Sequence, residues 1–209
     1  EQDDNELIFI SGGDNLDNNK FLILNWKKDT IEYSEDIKTI MHKNIYFKKK
    51  LYFIGGKNIE TNKTIPLCQY FDIKNKSWNI LPNLNVPRSN STACIYNDKY
   101  LYIFNGINDL NYLNSIEYLD ISDRIDCFKN RWNLIKPIDY GCVWNGVINS
   151  LIVTIDKDKI LICGGENKGI LTKETFLFEP STGCIYRGLD LTVGSCFNNG
   201  RGIYSLNEV

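Results

Sequence analysis

A single histidine limits the chemistry open to this 209-residue chain. A Ser/His/Asp or Cys/His nucleophile would have to recruit His42, and no nucleophile-elbow pattern accompanies it. His42 precedes a strand-like run and is expected as a surface or capping residue, because a metal centre needs several convergent ligands. The seven cysteines include no Cys-x-x-Cys pair, so no zinc-site spacing is present. Cys94, Cys163 and Cys184 fall in apolar runs and read as small buried hydrophobes, whereas Cys68, Cys127, Cys142 and Cys196 lie nearer loops. The run from Gly164 to Lys173 resembles a phosphate-binding loop only in its glycines. It lacks the Gly-Lys-Ser/Thr ending and a following helix to present backbone N–H groups. Asp3-Asp4 and the run Asp14 to Asn19 read as solvated loop charges. No catalytic residue, metal or cofactor is expected.

Bulk properties narrow the partner. A hydrophobic content of 43% suits an ordinary globular core. The net charge is −2 and the basic residues form no run beyond Lys48-Lys49-Lys50, so there is no electrostatic footprint for nucleic acid. No apolar stretch approaches the roughly 20 residues that span a bilayer, so membrane insertion is not expected. Seven scattered cysteines suit reduced thiols in a cytoplasmic protein better than a disulfide framework. Asn62, Asn75 and Asn90 open Asn-x-Ser/Thr triplets, which an asparagine-rich chain produces by chance. Glu1 comes first and Met41 is the only methionine, so the chain is expected to be a fragment or a processed product.

The elements that must hold any binding residues are repeated. Leu7-Ile-Phe-Ile-Ser-Gly-Gly13, Leu51-Tyr-Phe-Ile-Gly-Gly56, Leu101-Tyr-Ile-Phe-Asn-Gly106 and Ile160-Leu-Ile-Cys-Gly-Gly165 share one pattern. Their last glycines, at 13, 56, 106 and 165, are spaced by 43, 50 and 59 residues. Each copy is rich in β-branched and aromatic residues and is bounded by Asn, Asp, Gly and Lys clusters, the composition of antiparallel strands and tight turns. A strand and hairpin turn precede each glycine pair, as in Thr92 to Tyr96 with Asn97-Asp98-Lys99, and two strands follow, as in Gln69 to Ile80. The unit is therefore a four-stranded meander. Glycine inside a strand costs roughly 0.5 to 1 kcal/mol relative to alanine, so a recurrent pair marks a bend or a close backbone approach.

These residues resemble the Kelch repeat family, whose pattern is a hydrophobic strand ending in Gly-Gly, then a Tyr, then a Trp. The second unit carries Gly55-Gly56, Tyr70 and Trp78, followed by Pro87-Arg88. The third carries Asn105-Gly106, Tyr118 and Trp132, with a longer hairpin around Ile121 to Asn130. In the first unit, which holds Gly12-Gly13, Ile23 and Ile31 take the Tyr and Trp places. In the last, which holds Gly164-Gly165, Leu177 and Ile185 take them. The resemblance implies an all-β, Kelch-type β-propeller with blades near 7–40, 43–87, 91–138 and 148–192, residues 195–209 opening another, and the ring incomplete. Gly12, Gly13, Gly55, Gly56, Gly106, Gly164, Gly165, Tyr70, Trp78, Tyr118 and Trp132 are expected to be structural, the rings wedged between blades.

What the resemblance implies for function is a non-catalytic scaffold that binds other proteins, as a subunit of a cytoskeletal or ciliary assembly or as the substrate-recognition arm of a cullin ubiquitin ligase. The alternatives are a propeller-based metalloenzyme using a metal or a carboxylate in the central channel, although a copper site like that of galactose oxidase needs two His and two Tyr ligands and this chain has one histidine, and a purely structural segment that contributes blades within a large complex. In a four-stranded meander the loop joining strands two and three and the loop leading to the next blade emerge at one end. Here the first set is Asp14 to Lys20, Lys57 to Pro66, Ile107 to Asn114 and Glu166 to Lys173. The second includes Pro82 to Asn90 and Ile135 to Asn145. On that face Arg88, Lys57, Tyr112 and Trp144 are the expected partner-binding residues, because Arg and aromatic side chains dominate interface energetics.

Overall fold

Turn chemistry cuts the chain into short strands that meander antiparallel. The computed structural model describes residues 7–12, 20–122, 129–155 and 158–195, and in them every regular element is a strand. The first sheet has order β1 (Leu7–Gly12), β2 (Lys20–Asn25), β3 (Thr30–Asp36). Next come β4 (Thr39–Ile40), β5 (Lys43–Phe47), β6 (Lys50–Ile54), β7 (Lys57–Asn58), β8 (Cys68–Asp72) and β9 (Ser77–Ile80). Of these, β5-β6-β8-β9 form a four-stranded sheet and β4 pairs with β7. The pattern returns in β10 (Thr92–Tyr96), β11 (Tyr100–Phe104), β12 (Ile107–Asn108), β13 (Asn111–Tyr112), β14 (Ile116–Asp120) and β15 (Asn133–Ile135), with sheet order β10-β11-β14-β15 and the small hairpin β12-β13. It returns again in β16 (Ile138–Tyr140), β17 (Leu151–Ile155), β18 (Lys159–Cys163), β19 (Glu166–Asn167), β20 (Ile170–Leu171), β21 (Thr175–Glu179) and β22 (Cys184–Arg187).

Four such sheets in succession are consistent with a β-propeller, and they are called blades 1 to 4 below. Their strand counts differ from the uniform four expected. Blade 1 has three described strands and blade 4 has five, because β16 leaves blade 3 and pairs in parallel with β22. The third blade's sheet therefore ends at Ile135, and Ile138 belongs to its neighbour. The extra strand covers the outer edge of blade 4, where unpaired N–H and C=O groups would otherwise invite a foreign strand. Gly13, the loop Asp14 to Asn19, Cys127, Cys196 and most of the expected opening hairpin at 195–209 lie outside the described residues.

Tight turns explain the hairpins. Asn97 and Asp98 have φ of 51° and 49°, as a two-residue turn of the type I′ kind demands, and Lys48 and Lys49 adopt the same conformation at 47° and 59°. Strand alternation then sends every second side chain into a cleft between blades. Three apolar cores result, each shared by two neighbouring sheets. Phe21 and Ile23 meet Phe53 and Phe71 between blades 1 and 2, Ile54 and Cys68 meet Leu101 and Ile103 between blades 2 and 3, and Phe104 and Ile116 meet Ile162 and Phe178 between blades 3 and 4.

The register aligns the repeats. Phe9 faces Ile23, Tyr52 faces Tyr70, Tyr102 faces Tyr118 and Leu161 faces Leu177, so the tyrosine place is the same backbone position in all four sheets. Tyr70 and Tyr118 are half-buried at the core margins. Trp78 packs on Phe21 of blade 1, at 5.3 Å between centroids, and donates its indole N–H to Glu35. Trp132 is buried and donates to the Pro82 carbonyl at 2.8 Å. Both rings thus tie a blade to the one before it.

Candidate functional site

One backbone module recurs at the loop ends of blades 2, 3 and 4. Gly56, Gly106 and Gly165 have φ of 102°, 98° and 111°, and their N–H groups donate to the carbonyls of Arg88, Val147 and Ser195, each in the segment leading to the next blade. A Cβ on Gly106 would stand 2.7 Å from the Ser89 carbonyl oxygen, and one on Gly165 would stand 2.8 Å from that of Ile148. Both the left-handed φ and the close approach therefore require glycine. The partner segments also turn on left-handed residues, Met41, Asn90 and Asn149 at φ of 54°, 50° and 54°. Asn149 N–H donates to Asn90 O and Asn90 N–H to Met41 O, linking three blades.

Different side chains lock the same module at different junctions. Between blades 2 and 3, Arg88 is fully buried, and its Nη2 meets Glu117 Oε1 at 2.7 Å. Its Nη1 also donates to the carbonyls of Asn105 and Ser115, at 3.0 Å each. Glu117 accepts in addition from the Asn85 and Val86 N–H groups and the Asn85 side chain. Arg88 is therefore not a surface anchor. Its charge is spent inside, on a saturated network that staples the linker to β14, and burial pulls the guanidinium pKa down while Glu117 pulls it up. Between blades 3 and 4, Val147 takes the place of Arg88 and Phe176 that of Glu117. Trp144 is 4% exposed, lies edge-on to Phe176 at 4.9 Å and donates to Asn114 O at 2.7 Å. Trp144 too is a core staple, because the linker folds its indole inward onto β21.

The loops beyond these staples differ as well. Asp109 Oδ1 accepts from Thr64 N at 3.1 Å and from Thr64 Oγ1 at 3.0 Å, and Asp109 N donates back to Thr64 Oγ1 at 3.0 Å. This clasp ties the loop of blade 2 to that of blade 3, and hydrogen bonds from Thr64 hold the Asp109 carboxyl below its ordinary pKa. Lys57, half-buried, contributes its positive charge to Asp109 and stands at this closed junction. One blade further on, Tyr112 and Lys168 occupy the places of Thr64 and Asp109. Lys168 repeats the left-handed φ, 50° against 52°. Among the described residues no hydrogen bond joins these two loops directly; Asn167 Nδ2 instead reaches the linker at Gly146 O, 2.6 Å away.

A groove of about 740 Å³ opens there. Leu110, at the tip of the β12–β13 hairpin, and Ile170, the first residue of β20 beside the tip of its hairpin, are 90% and 72% exposed, and Asn111, Asn114, Asn145 and Asn167 line the space with half-buried Tyr112. Of the four expected binding residues, only Tyr112 lies in the groove. The sequence carries part of the signal: counting three residues from the last glycine sets Lys168 against Asp109, whereas Tyr112 matches Thr64 only through its pairing, Ile107 with Tyr112 as Lys57 with Thr64.

The remaining chemical candidates are structural. His42, expected as a surface or capping residue, is buried in the position held by Ser91 and Ser150 in the next two blades. Its Nδ1 donates to Thr39 O at 3.1 Å, its Nε2 lies 3.4 Å from Ser11 Oγ in blade 1, and burial depresses its pKa to about 4. Cys68, expected near a loop, is fully buried on β8, and burial raises its thiol pKa to about 12. The segment Gly164 to Lys173 folds as the hairpin β19-β20. Among the described residues no group of three or more His, Cys, Asp or Glu side chains could hold a metal ion, and no helix is long and apolar enough to cross a membrane.

The chain is similar to the Kelch repeat protein C2 of vaccinia virus (strain Western Reserve), with 33% identity over 90 residues. The proteins of the same name from cowpox virus (strain GRI-90 / Grishak) and camelpox virus (strain CMS) give the same identity over the same length. The aligned stretch covers 43% of this chain and only 16% of the length of each relative. No family model matches the chain. The similarity supports a Kelch-like family, in keeping with the all-strand fold.

Proposed function

We propose that this chain is a section of an incomplete Kelch-type β-propeller that binds an extended segment of another protein in the groove between blades 3 and 4. The observation that carries this reading is the open junction: two exposed apolar residues at or beside the hairpin tips, Leu110 and Ile170, flank a groove lined by four asparagines. Carboxamides both donate and accept, so they can pair with the backbone of an extended peptide, while the apolar residues take its side chains. The groove's charges are few and opposed, Lys168 against Glu174, so a largely uncharged segment fits it best.

The reading is non-catalytic, since the only histidine is committed to the core. The described cysteines are free thiols, which suits a reducing, cytoplasmic setting. Membership of a cytoskeletal or ciliary complex and service as the recognition arm of a cullin ubiquitin ligase both use docking of this kind, and the identity of the bound segment separates them. Panning a random peptide library against the chain tests the docking itself. Enriched peptides should bind the Leu110→Asp/Ile170→Asp variant at least tenfold more weakly, on the order expected when interface anchors are lost. Equal affinity at an unchanged melting temperature would overturn the groove as the docking site.

A further inference from the structure

A second cavity, away from the loop face, lies along the inner strands. It measures about 500 Å³ and is walled by β5, β10 and β17, mainly through Ile45, Phe47, Ala93, Ile95, Ile152 and Val153. Lys43, the first residue of β5, lines it and is only 8% exposed. Among the described residues this ammonium has no carboxylate partner and no hydrogen-bond acceptor, and desolvation alone shifts its pKa, downward. One more polar atom of a lining residue, Asn44 Oδ1, is also buried without a partner. The one carboxylate that lines the cavity, Asp98, belongs to the β10–β11 turn at the opposite end of the strands, where the Lys48 ammonium donates to its backbone carbonyl.

The fold itself does not call for this charge. Counting from the left-handed residues Met41, Asn90 and Asn149, the place of Lys43 is filled by Thr92 in blade 3 and Leu151 in blade 4, both neutral. A buried ammonium is normally retained only when it is paired. The volume falls within the range of small-molecule sites, and apolar side chains from three strands lie between one cation, Lys43, at one end and the polar Asn97 and Asp98 at the other. A single positive charge matches a monoanion; a phosphate dianion would remain half compensated.

We propose that the axial cavity binds a carboxylate attached to a small apolar body, with Lys43 as the group that pairs with it. The carboxylate belongs either to a free organic acid or to the C-terminus of a polypeptide. Hexanoate, N-acetyl-leucine and inorganic phosphate serve as probes, titrated into the full chain and followed by amide chemical shifts. Hexanoate or N-acetyl-leucine should saturate, with shifts centred on β5 and β10, and the tighter of the two identifies the source. Lys43→Met should weaken that binding at least tenfold, while Lys43→Arg, which keeps the charge, should retain most of it. A melting temperature for Lys43→Met at or above that of the native chain shows that the loss is not one of folding. Saturation by neither carboxylate, equal binding by Lys43→Met, or tighter binding of phosphate would each overturn the proposal. The loop-face variant Leu110→Asp/Ile170→Asp should bind hexanoate normally, so failure here is separable from failure of the docking groove.

Discussion

The junction between blades 2 and 3 and the junction between blades 3 and 4 share one backbone plan and reach opposite ends. At the first, Arg88 and Glu117 staple the linker and the Thr64–Asp109 clasp ties the loops together. At the second, Trp144 on Phe176 staples the linker and the loops stand apart, leaving a groove between Tyr112 and Lys168. The glycines and left-handed residues that set the geometry are equivalent in both. Side chains that do not determine the fold therefore decide whether a junction is closed or open. A repeat protein can place a binding site at one of several similar seams by changing a few residues in its loops.

The comparison makes graded predictions. The largest effect should come from Arg88→Ala, which leaves Glu117 charged and buried without its partner. We expect a loss of about 3–5 kcal/mol in denaturant unfolding, with folded protein at this junction becoming scarce. A loss under about 1 kcal/mol would mean that the pair is hydrated and the junction not sealed.

The seam between blades 1 and 2 supplies the next test, through His42. The folded ring holds a proton only below about pH 4, the unfolded one below 6.5. Between those values the unfolded chain takes up more protons, so stability should fall as pH drops through that window and level off beneath it. The decrease amounts to roughly 3 kcal/mol, and His42→Ser, which copies Ser91 and Ser150, should remove it. Urea titrations at pH 7 and pH 4 would reveal it. The smallest effect concerns the clasp: Thr64→Val, nearly isosteric, should cost about 1 kcal/mol and raise hydrogen exchange in the loops 57–66 and 107–114 without disturbing the staple beneath them.

Much of this architecture is legible in the sequence because it rests on local backbone requirements. In blades 2 to 4 the last glycine of each pair marks a position where positive φ and close approach coincide. Even where tyrosine and tryptophan are lost, Ile23 and Leu177 stand in the tyrosine register. The binding residues were harder to read because burial depends on partners far along the chain. Arg88 follows a proline in a linker and looks exposed, yet its carboxylate partner is 29 residues away on another strand. Trp144 and His42 were concealed in the same way, by Phe176 and by Ser11 with Thr39. The parallel strand β16 follows from no local pattern, since Ile138 to Tyr140 reads as the tail of its own blade until the edge of the next one is in view. Leu110 and Ile170 are exposed residues of two separate hairpins, and their exposure becomes meaningful only when both hairpins are seen to face one groove.

Transplanting the closed junction's clasp onto the open one tests the central claim most directly. The double substitution Tyr112→Thr with Lys168→Asp puts the Thr64–Asp109 pair at equivalent positions across the groove. Affinity for peptides selected against the native chain should then fall at least tenfold, with the melting temperature unchanged or higher. Undiminished affinity in a folded variant would contradict the account, because it would separate binding from the opening between these two loops.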